Sequence, residues 1–214
     1  NVDVQQNLNV TTDAIVTGNV DVQTNLNVTG DAYVSSNAVV TGNVDVQQNL
    51  NVATDAIVTG NVDVQTDLNI VGNVYASSNI VTTGNVDVQT NLNVAADAIV
   101  TGNVYASSNA VVTGNVDVQQ NLNVATDAIV TGNVDVQSEL NVTGNAYIAS
   151  NAVVTGNVDI QTNLNVATDA IVTGNVDVQT DLNVTGNVYA SSNIVTTGNV
   201  DVQQNLNVAT DAIV

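Results

Sequence analysis

Aliphatic residues recur along this chain in pairs two positions apart, as in NVDVQQ, NLNVTT and DAIVTG, and the pairs return every six residues. Cut at that period, the sequence falls into thirty-five complete hexads plus DAIV, with no insertion breaking the frame. The second position is always Val, Leu, Ala or Ile, and the fourth is Val, Ile or Ala except at Thr82 and Thr196. Residues two apart share a face of an extended backbone, so the pattern predicts a short strand with positions 2 and 4 inward. Positions 3 and 5, including all five tyrosines at position 3, then face outward. The first position is Asn or Asp everywhere except Glu139, and all fourteen glycines occupy the sixth. These residue types tolerate left-handed backbone angles, which places a bend of that kind between strands. The order is Gly-Asn, or Gly-Asp at Gly30, and never the Asn-Gly of tight hairpins, which favours parallel stacking over a meander.

The arrangement of hexad types sets the size of a coil. A 42-residue block recurs from residues 1, 43, 115 and 157, and the block starting at residue 85 is shorter by two hexads. With three hexads per coil, Asp3 stacks on Asp21, Leu8 on Leu26, Asn9 on Asn27 and Ile15 on Tyr33. With two, Asp3 meets Ile15 and Asp21 meets Tyr33. Like-on-like stacking permits amide ladders and keeps apolar side chains together. The expected fold is therefore all-β: a three-sided parallel β-solenoid of 18 residues per coil and about twelve coils. Residues 1–214 form one continuous unit of 36 hexads. At about 4.8 Å per coil the rod is roughly 58 Å long.

Composition narrows the chemistry. Twenty acidic residues face no Lys, Arg or His, for a formal net charge of −20. Such a chain repels nucleic acid and anionic membranes and collects cations as counterions. No apolar run exceeds four residues, too few for a membrane span. With no Met anywhere, the sequence is expected to be a processed product or an internal segment of a longer repeat array, the segment being favoured. Without His, Cys, Lys or Arg no nucleophile–base pair can be assembled, so no enzyme activity, catalytic residue or cofactor-binding residue is expected. Five aspartate pairs fall eighteen apart: Asp3/Asp21, Asp13/Asp31, Asp45/Asp63, Asp117/Asp135 and Asp159/Asp177. A bridging Ca²⁺ would relieve their repulsion, although no calcium-loop motif is present and no residue is assigned as a metal ligand. Asn9, Asn27, Asn141 and Asn183 each begin an NVT glycosylation sequon, which chance explains in a chain this rich in Asn and Thr.

The hexad with aliphatic inward positions resembles the hexapeptide-repeat left-handed β-helix family, which implies left-handed winding. TGNVYASSNIVTTGNVDVQ (residues 185–203) and SSNAVVTGNV (residues 35–44) are similar to repetitive segments of fibre-like proteins of large algal viruses and tailed phages. That resemblance covers the whole chain. It implies a structural shaft, extracellular or on a virion surface, whose partner is itself, end to end or as an intertwined homo-oligomer. Two other readings are an ice-binding or other surface-binding solenoid and a calcium-stabilised adhesin stalk. Ice binding needs one flat face bearing a regular Thr grid. Here the 42-residue block shifts the pattern by one face each time, so the NVDVQ-type hexads at residues 1, 43 and 157 (NVDIQ in the last) are expected on three different faces. Charges and threonines would then spiral around the rod, leaving no single recognition face.

Overall fold

The computed structural model describes all of residues 1–214 and contains no helix. Each hexad contributes one strand at positions 2 to 4, from Val2–Val4 to Ala212–Ile213. Three residues is shorter than the hexad pattern suggests, because position 5 already turns the corner. Successive strands go to successive sheets, giving three parallel twelve-stranded sheets around one axis. Every strand pairs with the strand eighteen residues on: Asp3 beside Asp21, Asn9 beside Asn27, Ile15 beside Tyr33. The three-hexad coil is thus the observed one.

The core is a single column of aliphatic side chains. Positions 2 and 4 are buried throughout coils two to eleven (residues 19–198), with Val22, Val46 and Val64 wholly enclosed. Most coils carry one Val, one Leu and one Ala at position 2, because the hexad types alternate in that order. The fifth coil (residues 73–90) departs from this, bringing Val74, Ile80 and Val86 inward, and compensates with the smaller Ala76 and Thr82 at position 4. The ninth coil (residues 145–162) does the reverse, offsetting Ala146 and Ala152 with Ile148 and Ile160. A close-packed interior tolerates such exchanges when the volume of each layer is kept.

The corners correct one expectation. No residue, glycine included, has a positive φ, so the bends do not use left-handed backbone. Asparagine and aspartate occupy position 1 for a different reason. The position-2 N–H donates to the position-1 carbonyl of the next coil (Val2 to Asn19, 2.8 Å), but the position-1 N–H has no carbonyl to meet. It donates instead to the side-chain Oδ1 of the position-1 residue one coil earlier, as Asn19 does to Asn1 (3.0 Å) and Asn73 to Asp55 (2.7 Å). This ladder runs along all three corners from Asn19 to Asp211 and is broken only between Glu139 and Asn157. Glycine serves close approach. A Cβ on Gly72 would fall 2.5 Å from the Thr54 carbonyl and collide with Asp55 Oδ1.

Candidate functional site

Chemistry on this rod is confined to its three outer faces, built from positions 3 and 5. All five predicted aspartate pairs are brought together. Four stack directly across neighbouring strands, and at the corner the Asp31 N–H donates to Asp13 Oδ1 at 2.9 Å. Gln23, Gln137 and Gln179 each donate their side-chain amide to the aspartate two residues earlier, at 2.8, 2.9 and 3.1 Å. No three acidic side chains converge on one point. What each pair offers is two carboxylates one layer apart, with water on the outer side. At Asp159, burial, then Asp177, then Glu139 hold the carboxyl above its ordinary range.

The asparagines of the sequons lie in outward amide ladders. Asn27 donates through Nδ2 to Asn9 (2.7 Å), Asn141 to Asn123 (2.9 Å) and Asn183 to Asn165 (3.0 Å). In these three the atom a glycan would modify is already engaged.

Sequence reading missed the grooves beside the tyrosines. Each tyrosine has Ser or Ala two residues on, Asn eighteen on and Ala twenty on, as in Tyr147, Ala149, Asn165 and Ala167. The large ring therefore overhangs a floor of small side chains, and five shallow grooves result, the largest about 390 Å³ beside Tyr189 and the next about 350 Å³ beside Tyr147. The recurrent Ala twenty residues after Tyr is the signal that could have revealed them. At Tyr33 the Asp31 charge, then burial, a 3.3 Å hydrogen bond to Asp31 and the Asp13 charge raise the phenol above its ordinary value.

The distribution of charge departs from the expected spiral. The NVDVQ hexads at residues 1 and 43 and the equivalent NVDIQ hexad at residue 157 do lie on three different sheets. The shortened block at residue 85, however, turns the pattern back. On the sheet containing Val2–Val4, the outward residues between Asp21 and Asp201 are Val39, Ile57, Tyr75, Asn93, Val111, Ile129, Tyr147, Asn165 and Asn183. Position 5 on the same strands holds only Thr, Ser and Ala. Nine consecutive strands of one face thus carry no charge, whereas the other two sheets place Asp45, Asp63, Asp117 and Asp135, or Asp87, Asp159 and Asp177, within the same stretch. The arrangement accords with a structural or a surface-binding role. No protein-family model, no curated protein and no solved structure matches the chain.

Proposed function

We propose that this chain is a non-catalytic structural shaft, a rigid rod that extends by stacking coils along its axis. The observation that carries the reading is the dependence of each coil on its neighbours. Val20, Val22, Leu26 and Val28, with a coil on either side, are at most 3% exposed, whereas their equivalents Val2, Val4, Leu8 and Val10 in the first coil are only half-buried. A further coil stacked on the first would bury them and continue the parallel ladders without any change of geometry. The five tyrosine grooves are copies of one another, spread over three faces, and none forms the unique enclosed cleft that catalysis requires. The resemblance to viral and phage fibre segments is in keeping with such a shaft outside the cell or on a virion.

Small-angle scattering and electron microscopy of the full chain test this. A single-chain rod of twelve layers is about 58 Å long, and axial joining yields multiples of that length at constant cross-section. Three intertwined chains would give a particle about three times as long from the same number of residues per layer. A compact globule, or a reproducible turnover abolished by one point mutation, would overturn the proposal.

A further inference from the structure

We propose that the charge-free face is a lateral docking surface for a second copy of this chain. The inference is independent of axial stacking, since it concerns the side of the rod and not its ends.

The molecule carries 20 negative charges and no positive side chain, so any two copies repel. Packing two rods through either of the other sheets would carry stacked aspartates into a dry interface, where unpaired charge is strongly unfavourable. Only the sheet running from Val39 to Asn183 presents an outer face with no carboxylate. The corner aspartates along its edges (Asp55, Asp127 and Asp181 on one, Asp97 and Asp169 on the other) are half-buried and accept hydrogen bonds from the next coil. What the face does present is apolar: Ile57, Tyr75, Ile129 and Tyr147 are each more than 40% exposed. Nine strands at about 4.8 Å, and a width near 12 Å, give on the order of 500 Å² per copy. A pair then buries roughly 1,000 Å², at the lower bound of specific interfaces.

The relief of the face suits a copy of itself. Its outward residues repeat at 72-residue spacing, Val39 with Val111, Ile57 with Ile129, Tyr75 with Tyr147 and Asn93 with Asn165. Each tyrosine ridge is followed one coil later by its groove, at Asn93/Ala95 and at Asn165/Ala167. In an antiparallel pair about a two-fold axis along the strands, the fifth coil meets the tenth and the ninth meets the sixth. Both ridges of one copy then face both grooves of the other, as an isologous interface requires. In that register Asp201 faces Val39, and no aspartate of the face meets another. The threonines at position 5 are interrupted by Ser77, Ala95, Ala149 and Ala167, which breaks the regular grid an ice surface would demand.

Sedimentation equilibrium of the full chain at 0.15 and 0.5 M NaCl, with mass per unit length from electron microscopy, tests the proposal. The expected result is a two-chain species of doubled mass per length, tightening at least several-fold as salt rises and screens the remaining repulsion. Ile57→Asp with Ile129→Asp is expected to weaken pairing at least tenfold while circular dichroism stays unchanged. Ile99→Asp with Ile171→Asp, on the neighbouring sheet, is expected to leave pairing intact. A chain monomeric throughout, growth in length alone, or equal loss in both variants would overturn the inference. So would thermal hysteresis from a monomeric chain that only the Ile57/Ile129 variant loses, which would assign the face to ice.

Discussion

Glu139 differs from the aspartates that share its place in the hexad by one methylene group, and there the corner ladder breaks. The Asn157 N–H finds no side-chain acceptor on Glu139, whereas the steps before and after it, Glu139 to Asn121 and Asn163 to Asn145, each use an Oδ1. Glu139→Asn is expected to restore that bond and raise stability by about 1 kcal/mol, measured as a higher urea midpoint at unchanged slope. A second departure is Thr82, 2% exposed between Val64 and Val100, whose hydroxyl has no hydrogen-bond partner. Valine has the same shape without the stranded hydroxyl, so Thr82→Val is expected to stabilise by roughly 1–2 kcal/mol in the same assay. The rule that position 1 is Asn, Asp or Glu was plain in the sequence. Its cause was not, because the atom it satisfies lies eighteen residues away along the chain and one layer away in space.

At the scale of strands, the parallel in-register ladder makes every outward residue a neighbour of its repeat. For asparagine this is favourable, as the Asn27-to-Asn9 bond shows. For aspartate it is not: at Asp159 burial acts first, and the charges of Asp177 and then Glu139 add to it. Because its carboxyl is raised above the ordinary 3.8, the folded chain holds that proton more firmly than the unfolded one. The contribution is therefore fully present below the ordinary value and is lost as pH rises through the raised one. Asp159→Asn is expected to be more stable than the parent at pH 7, with the difference narrowing toward pH 3, in urea titrations at both pH values. The aspartate pairs were legible from the eighteen-residue spacing, since stacking register follows directly from coil length. The burial that leads the shift at Asp159 depends on its surroundings and was not.

For the whole rod, stability is a sum of coil–coil interfaces, and a coil with one neighbour keeps half of them. Amide exchange is expected to be slowest in the central coils, around Val86–Val88 and Val116–Val118, and fastest in Val2–Val4 and Leu206–Val208, where inward side chains are already partly exposed. Raising salt from 0.01 to 0.5 M is expected to raise the thermal midpoint, since 20 like charges are then screened beyond a few ångströms. A midpoint that falls with salt would contradict the view that these carboxylates are net repulsive.

The six-residue period determined the strands, the inward pairs and, through like-on-like stacking, the three-sided coil, because all of these depend on residues at fixed short or regular separations. Even the volume balance of the ninth coil, Ile148 and Ile160 offsetting Ala146 and Ala152, is written in the sequence once the coil is known. Three features waited for the tertiary structure. The corner ladder needed to show which N–H lacks a carbonyl, a question of backbone direction that spacing does not answer. The tyrosine grooves needed side-chain volumes set side by side across neighbouring strands. The charge-free face needed the shortened block at residue 85 to be followed around the axis: losing two hexads rotates everything after it by two faces, and that rotation keeps the aspartates off one side of the rod for nine strands.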